Sequence, residues 1–91
     1  MVDARYAQSR MALKDWRVKV LSMTQEEFVA HLRSQGVKAT LSAVSLWEHG
    51  KRTPRVTTRR DIARALGLKP WQIAWAGETV ADVSEDPALA A

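Results

Sequence analysis

The side chains best suited to bind a ligand lie between positions 40 and 55 of this sequence. Hydroxyl groups and the imidazole of His49 are followed by the cations Lys51, Arg52 and Arg55. Such groups donate hydrogen bonds and carry positive charge, so they suit the binding of a polyanion better than the making or breaking of a covalent bond. The segment therefore indicates a binding site for an anionic partner.

The sequence indicates neither a catalytic site nor a metal site. It contains no cysteine, and its two histidines, His31 and His49, are far apart with no carboxylate at metal-ligand spacing. It also lacks a glycine-rich phosphate loop and a nucleophile placed next to a base. We therefore predict that the protein is not an enzyme and uses no metal or other cofactor.

Length and composition favour one small soluble domain. The chain has 91 residues, of which 46% are hydrophobic and 26% are charged, values typical of a globular protein with one core. No apolar run approaches the length of a membrane span, and the first residues lack the apolar core of a signal peptide. We expect a cytoplasmic protein without a membrane partner.

The positive charge is concentrated before position 78. Fourteen basic and six acidic residues precede that position, whereas residues 78–91 contain four acidic residues and no basic one. A basic domain followed by an acidic tail is common among nucleic-acid-binding proteins. Charge alone fits a solvated surface with a solvating tail equally well.

Residues 40–54 predict a short helix with a defined start and end. The Thr40 hydroxyl can cap it, and Val44 and Trp47 lie on one face, where they would be buried together. Gly50 suits the left-handed position that ends a helix, and Pro54 prevents its continuation. One face would thus anchor the helix, and the basic residues would follow its end.

Three segments of the chain resemble motifs of the lambda-repressor-like helix-turn-helix family, also called Cro/CI or XRE-type. The letters W-E-H-G-K-R-T-P at 47–54 resemble its W/I-E-x-G-x-x-x-P signature, and T-Q-E-E-F at 24–28 resembles S/T-Q-E-E-L-A. The letters I-A-R-A-L-G-L at 62–68 resemble I-A-K-A-L-G-V. The segments follow the family's order, so the resemblance implies an all-α, five-helix domain with a helix-turn-helix.

Apolar spacing and the family's order place four further helices around the motif. We predict these helices at about 9–20, 24–33, 56–66 and 70–76. The chain would then consist of an N-terminal arm at 1–8, a helix-turn-helix DNA-binding domain at 9–77 and an acidic C-terminal tail at 78–91.

Two connections differ in length from those of the family. The connection from the first helix to Thr24 is one residue longer, and the connection from the second helix to Thr40 is several residues longer. Thr24 and Glu27 form the T-x-x-E pattern of a capping box, which defines the start of the second helix. Gly36 and Val37 suggest a left-handed helix end and an apolar plug, so we expect a long second helix or an extended loop.

The resemblance implies that the helix after Thr40 lies in the major groove of double-stranded DNA and that neighbouring residues contact phosphates. Leu41 and Leu46 stand where the family often has long polar side chains. Leucine can contact a thymine methyl but cannot pair with base donors or acceptors. The residues predicted to contact DNA are Gln25, Thr40, Leu41, Ser42, Ser45, Leu46, His49, Lys51, Arg52 and Arg55.

Trp47 and Glu48 are predicted to be structural. Trp47 belongs to the core, and its indole N–H requires one partner. Glu48 is expected to fix the following loop by pairing with an amide or an arginine, for instance from the first or fourth helix.

These observations predict a sequence-specific, repressor-like transcriptional regulator that binds a palindromic operator as a homodimer. Apolar surface for the dimer is expected near Trp71 and Trp75, which lie one helical turn apart. One of the two tryptophans would close the core over Ile62 and Leu66, and the other, if exposed, would mark the interface. The alternative is a protein-interaction module or an antitoxin that uses the same fold with weak base recognition, because Leu41 and Leu46 also suit a protein partner.

Overall fold

The chain folds into a mostly helical domain, and the computed structural model describes residues 2–76 of it. Its α-helices are α1 (Leu13–Asp15), α2 (Gln25–Ser34), α3 (Leu41–Glu48) and α4 (Val56–Leu66). Single turns of 3-10 helix lie at Ala4–Tyr6 and Pro70–Gln72, and two short parallel strands pair as β1 (Met11–Ala12) and β2 (Ile73–Ala74). The expectation of an all-α chain is thus right for the main elements and wrong for this strand pair.

The first helix begins later than its apolar spacing predicts, and it widens towards its end. α1 starts at Leu13, directly after β1, and continues as a π-helical turn over Trp16–Val20. The Leu21 amide donates to the Trp16 carbonyl at 2.9 Å. A π turn closes a ring one residue larger than an α turn does. The connection to α2 then passes through Ser22, which has a φ of 54°.

α2 begins with the predicted capping box. The Glu27 amide donates to the Thr24 hydroxyl at 3.1 Å, and the Thr24 amide donates to the Glu27 carboxylate at 2.9 Å. These two bonds occupy amides that the start of a helix would otherwise leave unpaired. They also hold the pKa of the Glu27 carboxyl below its usual value, because hydrogen bonds from Thr24 favour the charged form.

Replacing Glu27 with glutamine is expected to change the pH dependence of the protein's stability. A carboxyl whose pKa is lowered by folding contributes stability above its unfolded pKa, about 4.3 for glutamate, and loses it as the pH falls through the folded value. The melting temperature of the parent should therefore fall relative to that of Glu27→Gln between about pH 5 and pH 2. Thermal melts across this range measure the difference, and parallel curves would exclude a contribution from the Glu27 charge.

The connection from α2 to α3 is open, as its length predicts. α2 is ten residues long, and Gly36 follows it with a φ of 84°. The Val37 amide donates to the Leu32 carbonyl at 3.0 Å. Val37 and Ala39 are both buried, so the connection is attached to the core at two points.

One hydrophobic core lies between the helices. Each of the four helical segments contributes side chains without solvent exposure, among them Trp16, Phe28, Val44, Ile62 and Leu66. The rings of Trp47 and Trp75 meet edge to face, with centroids 6.3 Å apart and planes at 90°. Aromatic pairs favour this geometry. The prediction that Trp47 belongs to the core is confirmed.

The predicted fifth helix at 70–76 is wrong. Pro70–Gln72 form a single 3-10 turn, and β2 follows it in parallel pairing with β1. Ile73 and Trp75 are buried while Ala74 between them is only half buried, which is the period of a strand and not of a helix. Because Trp75 is buried within the monomer, it does not provide the dimer surface that the sequence suggested.

The N-terminal residues pack against the end of the fold. Tyr6 meets Trp16 edge on, with ring centroids 6.0 Å apart. The buried Gln72 donates from its side-chain amide to the Tyr6 carbonyl at 2.9 Å. Residues 2–8 are therefore attached to the fold, with Val2 and Tyr6 packed against its core.

Two further expectations concern a membrane-spanning helix and the acidic C-terminal tail. No helix among residues 2–76 is long and apolar enough to cross a membrane. The predicted acidic tail at 78–91 lies outside the described residues.

Candidate nucleic-acid interface

A buried ion pair holds the C-terminal end of α3. Glu48 accepts hydrogen bonds from Arg17 of the first helix, at 2.6 Å from Nε and 2.9 Å from Nη2. The side chains of Arg17 and Glu48 are only 10% and 1% exposed. Arg17 Nη1 also donates to the Met23 carbonyl at 2.9 Å. The prediction that Glu48 pairs with an arginine is confirmed, and the arginine comes from the first helix.

The hydrogen bonds between Arg17 and Glu48 stabilise the charge of the guanidinium in a poorly solvated position. Hydrogen bonding to Glu48 raises the pKa of the Arg17 guanidinium above its ordinary value, although burial alone would lower it. The guanidinium is charged in any case, and the carboxylate beside it offsets the cost of taking that charge out of water.

Gln25 binds the same carboxylate and so connects α2 to α3. Its side-chain amide donates to Oε1 of Glu48 at 3.0 Å. The sequence assigns Gln25 to a DNA phosphate, but in the structure its side chain is half buried and one N–H group is used inside the protein. An amide side chain has two N–H groups and one acceptor oxygen. Within residues 2–76, Glu48 is the one hydrogen-bond partner of this side chain.

α3 buries one face and exposes the other. Val44 and Trp47 are buried, Leu41 and Ser42 are exposed, and Ser45 is half buried. Leu41 is 43% exposed and is one of two large apolar side chains among residues 2–76 with such exposure. The structure therefore brings the predicted contact residues of the N-terminal half of α3 to one accessible face.

Several of the predicted contact residues besides Gln25 also make bonds within the protein. The Thr40 hydroxyl accepts a hydrogen bond from a backbone amide in the first turn of α3 at 3.1 Å, so it caps the helix as predicted. His49 Nδ1 lies 2.7 Å from the Ser45 carbonyl. This contact requires a hydrogen on Nδ1 and leaves Nε2 as the acceptor of a neutral ring. Leu46 is half buried, and its carbonyl accepts from the Lys51 amide at 3.0 Å, so it supports the following loop.

Lys51, Arg52 and Arg55 form what we call the basic loop. All three side chains are exposed, and within residues 2–76 no carboxylate forms an ion pair with any of them. Gly50 begins the loop at a φ of 71°, as its predicted left-handed position requires, and Pro54 is buried. The loop thus presents three cations that lack a counter-charge in the described part of the chain.

Two further cations lie at the opposite end of α3. Arg33 and Lys38 line an open cavity of about 350 Å³, together with Gly36, Val37 and Thr40. Sequence spacing did not indicate them, because the path of this connection depends on Gly36 and on the burial of Val37.

Arg17 was also missed, although the sequence carries a signal for it. Arg17 lies four residues after Leu13 and four before Leu21, on the apolar face of the first helix. A charge at an apolar position indicates a buried partner, because an unpaired charge there would be costly. Glu48 is that partner.

No group of three His, Cys, Asp or Glu side chains within the described range could hold a metal ion. Comparison of the chain with protein-family models, curated proteins and solved structures finds no match. The functional assignment therefore depends on the geometry of α2, α3 and the basic loop.

Proposed function

We propose that the chain is a DNA-binding transcriptional regulator in which α2 and α3 form a lambda-repressor-like helix-turn-helix. The observation that best supports this function is an exposed face of α3, anchored from behind by Val44 and Trp47, next to the basic loop. The major groove of B-DNA admits an α-helix, and cations beside the helix bind the phosphates.

In this proposal the N-terminal half of α3 contacts base edges. It presents Leu41 and Ser42, with Ser45 one turn further on. These side chains lack the bidentate contact that arginine or lysine makes with guanine. Specificity then comes from A·T preference, water-mediated contacts and DNA shape.

In this proposal two parts of the fold contact DNA phosphates. The basic loop lies after Glu48, and Gln25 lies at the start of α2, where the helix dipole favours an anion. The 3.0 Å bond from Gln25 to Glu48 orients the amide relative to α3. Contacts on both sides of α3 would fix its orientation in the groove.

A single recognition helix contacts few bases, so we propose a homodimer on a palindromic operator. Trp75 is buried in the core, which leaves the half-buried Trp71 as the tryptophan of this segment that could contact a second copy. Light scattering of the complex should give two chains per palindromic duplex.

Affinity for a random DNA duplex at increasing salt tests the proposed function. Each phosphate neutralised by a cation contributes about −0.9 to the slope of log K against log salt. Binding at low salt with a steep slope supports the proposal. Failure to bind any duplex at low salt would contradict it.

The second candidate is a protein-interaction module or antitoxin of the same fold. The 43% exposure of Leu41 favours it, because an apolar side chain on an accessible helix face also suits a protein partner.

Replacing Leu41 with alanine separates the two candidates. At an operator with thymine beside Leu41, lost apolar contact should cost about 1 kcal/mol, or roughly fivefold in affinity. Where uracil replaces that thymine, the methyl group is absent and the variant should lose little. Competition binding on the two duplexes measures both effects.

Val18→Ala is the matched control for this substitution. It removes the other exposed large apolar side chain, which is 47% exposed and lies in the first helix. We expect it to leave both affinities unchanged. If Leu41→Ala binds both duplexes as tightly as the parent, Leu41 contacts no base and the second candidate is favoured.

A further inference from the structure

We propose that the acidic segment 78–91 binds the basic loop of its own chain and competes there with DNA; the competition rests on the function proposed for that loop. The backbone reaches the loop at its last described residue. The Ala76 carbonyl accepts a hydrogen bond from the Thr53 hydroxyl, within the loop. A β-carbon added at Gly50 would lie 3.2 Å from the β-carbon of Ala76. The chain thus leaves the described fold between Gly50 and Thr53.

Core packing fixes this exit point. Trp75 is buried and packs edge to face on Trp47 of α3. Ile73, two residues earlier, is fully buried in β2. The segment that follows Ala76 therefore starts beside the basic loop.

The charges of the two parts are complementary. The segment carries four carboxylates and no cation, and they belong to Glu78, Asp82, Glu85 and Asp86. The basic loop carries three exposed cations, and no carboxylate within residues 2–76 pairs with them. The residues that precede position 78 have 14 basic against 6 acidic side chains, so the surrounding field also favours an anion.

The distances allow contact without strain. An extended chain advances about 3.5 Å per residue, so Glu78 can lie about 7 Å from Ala76 and Asp82 about 20 Å from it. The described fold measures 37 Å in its longest dimension. The chain between Ala76 and the first carboxylates is therefore long enough for them to contact the basic loop.

Because the acidic segment is tethered next to the basic loop, weak ion pairs are sufficient to bind it there. A single exposed ion pair contributes little in water. A short tether, however, gives an effective concentration in the millimolar range, and several carboxylates share it. DNA phosphates would bind the same N–H groups, so the two anions exclude each other at the loop.

Nuclear magnetic resonance on the full chain without DNA tests this contact. The comparison is between the parent and a variant with Glu78→Gln, Asp82→Asn, Glu85→Gln and Asp86→Asn, which keeps the length and removes the charge. We expect shifted signals from the amides and side chains of Lys51, Arg52 and Arg55 at about 25 mM salt, where screening is weak. These differences should disappear by about 300 mM salt.

Signals that differ only at 74–76, or that differ equally at both salt concentrations, would overturn the proposal. The free peptide 78–91, added to the neutralised variant at equal concentration, is the control. It should reproduce few of the shifts, because the tether supplies the effective concentration.

DNA affinity supplies the second readout. At low salt the neutralised variant should bind a random duplex roughly 3- to 10-fold more tightly than the parent, the effect of one or two exposed ion pairs. The ratio should approach one as salt rises. Equal affinities at low salt would overturn the competition. If neither protein binds DNA, the function proposed for the loop fails, and the resonance comparison still decides whether the segment contacts it.

Discussion

Replacing Glu48 with alanine is expected to lower the free energy of unfolding by about 3–5 kcal/mol. The substitution leaves the Arg17 guanidinium, whose side chain is only 10% exposed, without its carboxylate. It also removes the partner of Gln25 and so breaks one hydrogen bond between α2 and α3. Small domains are stable by only about 5–15 kcal/mol, so a large part of the stability would be lost. Urea unfolding, followed by circular dichroism, measures the effect.

The double variant Arg17→Met, Glu48→Leu separates two energies: the cost of burying an unpaired charge, and the net contribution of the ion pair to stability. Replacing both charges with apolar groups is often neutral, so this variant should recover most of the lost stability. Asp61→Asn is a control, since Asp61 pairs with Arg64 at 3.5 Å on the exposed surface and should matter little. If Glu48→Ala unfolds at the same urea concentration as the parent, the ion pair does not hold α3.

The largest expected effect on binding follows from neutralising the basic loop. With Lys51, Arg52 and Arg55 all changed to glutamine, the slope of log K against log salt should become less steep by about 2.7, or about 0.9 for each phosphate contact. Affinity at low salt should fall roughly 100-fold for every sequence, because charged contacts to phosphates do not depend on the bases. Fluorescence anisotropy with labelled duplexes measures both quantities.

The control is a second triple variant with the same change in net charge. Arg5, Lys19 and Arg64 each pair with a nearby carboxylate, at 3.1 Å, 3.5 Å and 3.5 Å, and they lie outside the basic loop. Changing these three to glutamine should leave the slope close to that of the parent. If both triple variants lower the slope equally, net charge and not the basic loop determines the affinity.

The sequence predicts the helices whose ends are defined by local bonds. Thr24 and Glu27 form their capping box across three residues, and Thr40 caps α3 across the same span. Gly67 ends α4 with a φ of 74°, a position that favours glycine. Bonds of this kind join residues that are close in the sequence, so their pattern is visible without the fold.

The features that the sequence did not predict depend on contacts between distant residues. Residues 70–76 have helical apolar spacing, but pairing with β1 and the packing of Trp75 on Trp47 favour an extended chain. Local spacing contains no information about either partner.

In the candidate site, too, the sequence predicts the local features and not those that depend on distant contacts. The accessible face of α3 and the basic loop follow from helical periodicity and from the order of residues. The internal bond of Gln25, the half-burial of Leu46 and the cavity beside Arg33 depend on how α2 and α3 are joined. That connection differs in length from the pattern of the resembling family, so residue positions in the motif did not define its geometry.

Selection of bound sequences from a random duplex pool tests most directly whether the chain is a sequence-specific DNA-binding regulator. We expect enrichment of a palindrome whose half-sites lie about one helical turn apart. The half-sites should be rich in A·T pairs, because Leu41 can contact a thymine methyl, whereas the serines of α3 discriminate only weakly between bases. A pool that stays unenriched after repeated rounds, from a chain that binds DNA at low salt, would contradict this function.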